Sequence, residues 1–237
     1  MPQFMEHSFS ANPVSVNVPR STFNRDFRHK TSFNEGSLVP FFFDEVLPGD
    51  TFNLRTNALV RLSNPAVRPV MDDMYLDYYY FFVPSRLLWK HFEEVHGENK
   101  TSHWTQPTEF VIPTESSDSS LVTVRSFYQY LGIPTGSPSI GLSLLPYAAY
   151  LKVWNEWFRD ENLEDPDPLV ETIYNLPSGG SLDSNAYDAQ SLHSVSRYHD
   201  YFSSCLPSPQ KGAAVDLPLG TSTPVIVTGK QIGRAHV

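Results

Sequence analysis

Residues 74–83 read Met-Tyr-Leu-Asp-Tyr-Tyr-Tyr-Phe-Phe-Val and are followed by Pro84. Nearly every residue of this stretch is aromatic, β-branched or large and apolar, and Asp77 carries its only charge. A short apolar run that ends at a proline is typical of a strand that is covered on both faces. The run is too short for a membrane helix, which needs about 20 apolar residues. We therefore predict a central strand with a layer of polypeptide over each face.

Other segments also have the patterns of strands. Apolar and polar side chains alternate over residues 51–62, which predicts a half-buried strand. Residues 38–46 are a first strand candidate and residues 225–228 a short last one, and Leu-Pro-Gly-Asp at 47–50 predicts a turn. Aromatic residues make up 14% of the chain and there are 20 prolines, which favours many short strands over a helix bundle. We therefore predict a mainly-β fold.

A few helices are predicted between the strands. Leu88, Phe92 and Val95 form a helical stripe after Pro84 and before Gly97. A second short helix is predicted over residues 123–131 and the longest over residues 146–163, where five apolar side chains follow helical spacing. These five are Tyr147, Tyr150, Leu151, Trp154 and Phe158. Residues 98–120 are predicted to form a polar loop and residues 171–198 a long surface excursion.

The far end of the longest predicted helix is rich in carboxylates. They are Asp160, Glu161, Glu164, Asp165 and Asp167. The helix dipole disfavours negative charge at this end. A basic partner, a bound cation or a solvated acidic loop would each relieve the repulsion.

Charge and cysteine content exclude several classes of protein. The formal net charge of −9 argues against a protein that binds nucleic acid over its whole surface. Charged residues are only 18% of the chain, which suits either extensive protein–protein contact or a large core with neutral loops. The single cysteine, Cys205, excludes an internal disulfide and a cysteine zinc site. Because no secretory signal peptide is recognisable, the expected compartment is a reducing cytoplasm or a particle assembled there.

Residues 1–36 have the character of an extended arm, with three prolines, many Ser and Asn residues and scattered phenylalanines. The arm holds the basic cluster of the chain, which consists of Arg20, Arg25, Arg28, His29 and Lys30. Its cations could contact phosphates while Phe23 or Phe27 stacks on bases. Alternatively, the arm could lie across a neighbouring subunit with its phenylalanines as anchors. We favour the second interpretation.

Signatures of catalysis are weak throughout the chain. His91 and Glu93 match the start of a facial metal triad, but they lie on a predicted amphipathic helix, where a structural histidine is more common. His193 and His199 lack a helical ligand spacing, and His199-Asp200 has no nucleophile elbow to serve. A phosphate-binding loop is also missing. We predict no catalytic, cofactor or metal site, which favours a binding or structural role.

Six segments, in order, resemble the major capsid protein of the microviruses, small icosahedral single-stranded-DNA bacteriophages, and specifically of their gokushovirus branch. They are SFNEGSLVPF at 32–41, DEVLPGDTF at 44–52, FFVPSR at 81–86, YLGIP at 130–134, NEWFRDENL at 155–163 and DYFSSCLPSPQKG at 200–212. Each match is modest by itself, but six in one order make a specific resemblance.

The resemblance implies an antiparallel jelly roll of the viral capsid type, with long loop insertions and a few short helices. It implies a structural subunit that assembles with copies of itself, in the cytoplasm of a bacterial host, into a virion shell around single-stranded DNA. Other virion proteins and a host receptor are further expected partners, and no membrane is expected. Arg20, Arg25, Arg28 and Lys30 are the residues we expect to contact packaged DNA from the inner side.

The resemblance also suggests a division of the chain. We expect an arm at 1–36, an incomplete jelly-roll domain at 37–229 and a non-native tail at 230–237. Members of the family continue well beyond this length, and residues 232–237 resemble a translated sequencing adapter, so we interpret the chain as a fragment truncated at its C-terminus. Two alternatives stay open: a metal-dependent oxygenase or cupin that uses His91 and Glu93, and a carbohydrate-binding sandwich.

Overall fold

The computed structural model describes residues 19–62, 68, 71, 73–101, 104, 109–115, 126–134, 141–182, 192–202, 204 and 205. Within these ranges the chain is low in helix and has few strands, which is consistent with a mainly-β protein. The predicted last strand at 225–228 and the tail at 230–237 lie outside the described residues, as does the first half of the arm.

The helices are short and all lie in the second part of the described chain. A 3₁₀ turn at Ser85–Leu87 is followed by α1 (Phe92–Val95), α2 (Phe127–Tyr130), α3 (Leu145–Val153) and α4 (Leu169–Tyr174). A π-helical turn, Trp154–Phe158, continues α3. Two strands, β1 (Thr114–Glu115) and β2 (Ser181–Leu182), pair in parallel, with Thr114 opposite Ser181.

The longest predicted helix is confirmed, although it ends earlier than residue 163. Pro146 occupies its first turn, where a missing amide hydrogen costs nothing. The helical path ends at Arg159, whose backbone is extended, with φ −73° and ψ 140°. The predicted helix at 85–96 is instead two separate turns. Of the predicted helix at 123–131, the structure describes residues 126–131, which contain the single turn α2. Gly97 and Gly132 follow α1 and α2 with positive φ, a conformation that other residues rarely adopt.

The core packs between α2, α3 and α4, and it is rich in aromatic side chains. Phe127 contacts Tyr128, Tyr147 and Tyr150, with ring centroids 5.1–5.2 Å apart. Ser126 caps α2 by accepting a hydrogen bond from the Gln129 amide at 3.3 Å. Buried residues of α3, α4, β2 and the segments that flank the helices complete the core; they include Leu88, Trp89, Leu144, Leu151, Ile173 and Leu182. This core holds the helices and the strand pair together as one unit.

The predicted surface excursion at 171–198 is wrong in its first part. Residues 169–174 form α4, and Ile173 is fully buried against the core. The indole of Trp89 donates to the Leu176 carbonyl at 2.8 Å, and β2 follows with Leu182 buried. The Ser, Asn and Asp residues of this segment indicate a loop, and the apolar stripe of α4 is too short to be recognised among them. Strand β1 likewise interrupts the predicted loop at 98–120.

The central stretch at 74–83 is not a strand in the described structure, and it is not buried. Tyr75 is 84% exposed and Phe82 is 72% exposed. Side chains nevertheless alternate between two sides, as they would in a strand. Tyr79 and Phe81 contact Phe158, with ring centroids 5.6 and 5.8 Å away, whereas Tyr80 contacts Phe41 at 5.9 Å.

Residues 51–62 also differ from the prediction of a half-buried strand. The alternation of their sequence is real, but their apolar side chains, which include Leu54, Val60 and Leu62, are exposed. Residues 38–46 are not a strand either, although Ser37 forms an isolated antiparallel bridge with Ser194. Among the described residues, no main-chain carbonyl accepts from an amide of 51–62 or 74–83. Within the described ranges these segments therefore have no neighbouring strands to bury their apolar faces, and the predicted antiparallel ladder is not seen there.

We predict a sharp contrast in hydrogen exchange between the two parts of the chain. Amides of α3 should exchange slowly, whereas those of 51–62 and 74–83 should exchange nearly as fast as in an unfolded chain. Leu151→Ala should cost about 2–5 kcal/mol and remove much of the protection of α3. Leu163→Ala, at an exposed position, is the matched control and should change stability by less than about 0.5 kcal/mol. Exchange is measured on surface-immobilised chains, which cannot associate, and slow exchange at 74–83 would then contradict the described exposure.

We also predict that the chain associates when it is expressed alone. Exposed apolar segments without strand partners are templates for intermolecular pairing. Light scattering and sizing should show polydisperse or insoluble material. A monodisperse monomer that melts cooperatively would contradict this prediction.

Candidate assembly surface and basic arm

Two of the four cations predicted to contact DNA hold the arm onto its own chain. Arg20 donates to the Gly49 carbonyl at 2.7 Å. Arg25 forms an ion pair with both oxygens of Asp44, and this hydrogen-bonded pairing raises the pKa of Arg25. The arm is therefore fixed at Asp44 and at the turn on residues 47–50, which is closed by a 3.1 Å hydrogen bond from the Asp50 amide to the Leu47 carbonyl.

The other two predicted cations remain available. Arg28 and Lys30 are exposed, and neither has an ion-pair partner within the described ranges. Phe23, between Arg20 and Arg25, is 81% exposed. Phe27, which follows Arg25, packs edge-on against Phe42 at a ring-centroid distance of 5.6 Å. The arm therefore presents an aromatic side chain, followed by two unpaired positive charges, to the surroundings.

A polar network around His193 attaches two loops to α3 and its π turn. The imidazole of His193 stacks on Trp154, with ring centroids 4.2 Å apart, and its Nε2 lies 3.2 Å from Asp167 Oδ2. The His193 amide donates to the Tyr150 hydroxyl at 2.9 Å, and that hydroxyl donates to the Leu38 carbonyl at 3.0 Å. The indole of Trp154 donates to the Ser194 carbonyl at 2.7 Å. Residues 36–38 and 192–196 are thus joined to each other and to the helix.

Burial and hydrogen bonds together set the pKa values of Tyr150 and Asp167 in this network. Burial raises the pKa of the Tyr150 hydroxyl, against the opposing effect of the His193 amide, so the hydroxyl remains a donor. Burial would also raise the pKa of Asp167, but the hydrogen bonds from His193 and the Leu169 amide, with the charge of His193, outweigh it and lower the pKa. Sequence reasoning missed this role of His193. The available signal is that a buried Tyr hydroxyl and Trp N–H need partners.

Aromatic side chains cluster on an exposed surface at the end of the long helix. Trp157 is 72% exposed, and its ring centroid lies 5.6 Å from that of Phe81. Tyr79 and Phe158 extend the cluster, and Tyr79 is about half exposed. We call Tyr79, Phe81, Trp157 and Phe158 the aromatic face. A protein surface seldom exposes such a contiguous apolar patch without a binding role.

The carboxylates beyond α3 form a tight loop beside the aromatic face. Arg159 Nη1 donates to the Glu164 carbonyl at 2.6 Å, and the Asp160 amide donates to Glu164 Oε2 at 3.2 Å. Glu161 and Asp165 are exposed, and Leu163 between them is 77% exposed. We call residues 160–167 the acidic loop. Among the described residues, no group of three or more His, Cys, Asp and Glu side chains could hold a metal ion.

A large open hollow lies between the arm, residues 51–62, residues 74–83 and the long helix. Its volume is about 4910 Å³, and the side chains that line it include Phe41, Phe52, Tyr80 and Phe81. Protein interiors are close-packed, so a hollow with this apolar lining is suited to filling by polypeptide.

His91 has a structural environment rather than that of a metal ligand. Its Nδ1 hydrogen-bonds Glu94 and not the predicted partner Glu93, and its ring stacks on Phe110 at a centroid distance of 4.8 Å. Glu93 instead approaches Lys100 at 3.7 Å. The geometry gives no support to an oxygenase that uses His91 and Glu93. None of the helices within the described ranges is long and apolar enough to cross a bilayer.

Comparison with known proteins gives the family. The sequence profile of the family described as capsid protein (F protein) matches residues 11–236. The chain belongs to this capsid protein family. The match reaches into the C-terminal residues that we interpret as a non-native tail, which lie outside the described structure.

Relatives in the capsid family carry the same name in three phages. Capsid protein VP1 of Bdellovibrio phage phiMH2K is 42% identical over 220 residues, which cover 93% of this chain and 39% of the relative. Capsid protein VP1 of Chlamydia phage 1 is 36% identical and covers 100% of this chain and 40% of the relative. For Capsid protein VP1 of Spiroplasma virus 4 the identity is 35%, covering 88% of this chain and 38% of the relative. The chain thus spans about two fifths of the length of these curated relatives.

We predict that the link between Asp167 and His193 weakens in acid. Because folding lowers the pKa of Asp167, its contribution to stability is fully present above the unfolded-state pKa of about 3.9 and is lost as pH falls through the lower folded value. Asp167→Asn should be less stable than the parent at pH 7 and should lose less stability on acidification.

The measurement is urea unfolding of surface-immobilised chains, followed by tryptophan fluorescence from pH 7 to pH 3, because immobilisation prevents association. Asp165→Asn removes an exposed carboxylate of the same loop and should follow the parent. Equal acid sensitivity of Asp167→Asn and the parent would contradict the role of the pair.

Proposed function

We propose that this chain is part of the coat-protein subunit of a small single-stranded-DNA bacteriophage, and that copies of the complete protein close into an icosahedral shell around the genome. The single observation that carries the proposal is the family match over residues 11–236. Relatives named Capsid protein VP1, with identities of 35–42%, support it. The location that follows is the virion, assembled in the cytoplasm of a bacterial host.

The exposed surfaces of the chain suit a shell. A closed shell buries apolar and aromatic surface between symmetry-related copies. The low content of charged residues favours such contacts, because charges are costly to desolvate at the centre of an interface. A carbohydrate-binding sandwich would also expose aromatic side chains, but the family match favours the shell.

We further propose that the fold is an antiparallel jelly roll that the rest of a longer polypeptide completes. Alternation of side chains at 78–81 and the apolar alternation at 51–62 have the period of strands. Both segments line the hollow of about 4910 Å³. Strands supplied by the rest of the coat protein would satisfy their main-chain groups and fill this hollow.

Packaged single-stranded DNA and other virion proteins are the further partners of the proposed shell. For DNA contact by the arm, Arg28 and Lys30 are the better candidates, because Arg20 and Arg25 already bind the Gly49 carbonyl and Asp44. The proposed role is structural and requires no catalysis, metal or cofactor.

The test is electron microscopy of the full-length protein, with the remaining C-terminal part restored from the genome. We expect closed particles of one small diameter. Leu151→Asp, which places a charge in the helical core, should abolish them, whereas Glu109→Gln, at an exposed position away from the helical core, should assemble like the parent. A folded full-length protein that stays monomeric under all assembly conditions would contradict the proposal and turn attention to glycan binding.

A further inference from the structure

Three contacts between the arm and the segment that follows it share one alignment. They join Arg20 to the Gly49 carbonyl, Arg25 to Asp44, and Phe27 to Phe42. From one contact to the next, a forward step along the arm matches an equal backward step along the second segment. The step is five residues between the first two contacts and two residues between the last two. Residues 20–27 therefore lie antiparallel to residues 42–49 in a single register.

The chain reverses direction where this register requires it. Every contacting pair is centred between residues 34 and 35, and the chain turns at Glu35 and Gly36. Gly36 has a φ of 73°, a conformation that other residues rarely adopt. Tyrosine hydroxyls donate to the carbonyls of Ser32 and Leu38, before and after the turn, at 3.1 and 3.0 Å. The helical core therefore holds the turn that sets the register.

The register also matches the chemistry of the two segments. Side chains alternate along an extended chain, and the stacking of His29 on Phe27, with ring centroids 6.0 Å apart, shows two such neighbours on one face. On this face the opposing positions are Phe23 with Val46, Arg25 with Asp44, and Phe27 with Phe42. An ion pair is thus flanked by an apolar pair on each side, and opposite charges and apolar pairs both stabilise cross-strand neighbours. Arg28 and Lys30 fall on the other face.

The alignment is not closed along its whole length. Phe27 and Phe42 are in contact, but Phe23 is 81% exposed and Val46 is 43% exposed. Among the described residues, no main-chain hydrogen bond joins 20–27 to 42–49. Side chains have therefore set a register in which the main-chain ladder is open.

We propose that residues 20–27 are a strap that closes on residues 42–49 of the same copy as an antiparallel ladder, with Phe23 packed on Val46. Both segments line the hollow, so the closed strap forms part of its wall while the rest of the polypeptide fills it. Closing covers an edge whose unpaired main-chain groups are otherwise a template for association. This inference goes beyond the proposed function, because it concerns contacts within one copy and holds whether or not shells form.

The geometry favours the same copy over a neighbouring copy as the partner of the arm. The connection between the two segments is already bent and bound to the helical core, so closing needs little further ordering. The ion pair of Arg25 and Asp44 also keeps the two segments at a high effective concentration. An arm that crosses to a neighbour is the competing outcome of the test.

The first experiment is disulfide trapping in the full-length protein, in a background without other cysteines that includes Cys205→Ser. F23C/V46C and N24C/E45C test two successive pairs of the register, because hydrogen-bonded and non-hydrogen-bonded pairs alternate along an antiparallel ladder. N24C/L47C is the matched control, since its Cα atoms would be displaced to about 7–8 Å, beyond the reach of a disulfide. At least one register pair should form roughly tenfold more disulfide within one chain than the control.

The position of the disulfide decides between the outcomes. It is read on denatured, non-reduced chains, so the result is obtained from shells and from unassembled protein alike. Disulfides within one chain support the strap. Dimers linked between copies would assign the arm to a neighbour, and equal trapping in the control would show that the register is absent; either result would overturn the proposal. A protein that shows the strap but forms no shells would contradict the proposed function alone.

The second experiment keeps the proposal testable if paired cysteines prevent folding. Hydrogen exchange of residues 42–49 is followed in the full-length protein, where alternate amides of a closed ladder should be protected. R25E should speed exchange of this segment by roughly threefold, and R25E/D44K should restore the parent rate because the charges are exchanged. D26K, which reverses an exposed charge on the other face of the arm, is the matched control and should exchange like the parent. An R25E variant with the parent rate, or one that R25E/D44K does not rescue, would overturn the strap.

Discussion

The hydroxyl of Tyr150 joins parts of the chain that are far apart in sequence. It donates to the Leu38 carbonyl and accepts from the His193 amide, so it links residues separated by 112 and by 43 positions. A buried hydroxyl without partners would cost about 1–3 kcal/mol, which makes this geometry a requirement of the fold. The Leu38 amide in turn donates to the His193 carbonyl at 2.9 Å, and the Val195 amide donates to the Gly36 carbonyl at 2.8 Å. The end of the arm is attached to the helical core here.

Residues 51–62 and 74–83 are attached to the helical core in a different way. Residues 51–62 and 74–83 are held near the helical core by side-chain contacts, such as those of Tyr79 and Phe81 with Phe158. Their main chains, however, form no ladder among the described residues. A strand gains its main-chain hydrogen bonds only from a neighbouring strand, whereas a helix satisfies its own. The helices can therefore form without a partner, whereas residues 51–62 and 74–83 need neighbouring strands.

This difference between helices and strands also explains how the surface is suited to assembly. Helix α3 and the π turn that follows it bury Tyr147, Tyr150, Leu151 and Trp154, and only the last turn carries an aromatic side chain, Trp157, to the outside. The helix ends next to five carboxylates, and the basic arm is fixed at the turn on residues 47–50. Apolar surface, negative charge and positive charge are thus presented on separate elements of one chain. Complementary surfaces of different copies can meet when they are arranged in this way.

The sequence by itself determined the local features of this protein. Spacing of the apolar residues located α3, glycines located the ends of α1 and α2, and Leu-Pro-Gly-Asp located the turn, because these signals act within a few residues. Ordered motifs also led to the capsid family. Tertiary structure alone decided the side-chain partners. His193 contacts Asp167 and Trp154, His91 contacts Glu94, and Arg20 and Arg25 bind groups of their own chain. Tertiary structure also buried Ile173, which lies in a segment with the composition of a loop. Tertiary structure also decided that the apolar run at 74–83 is exposed. Such a run is buried only when other segments cover it, and its own sequence does not show whether other segments do so.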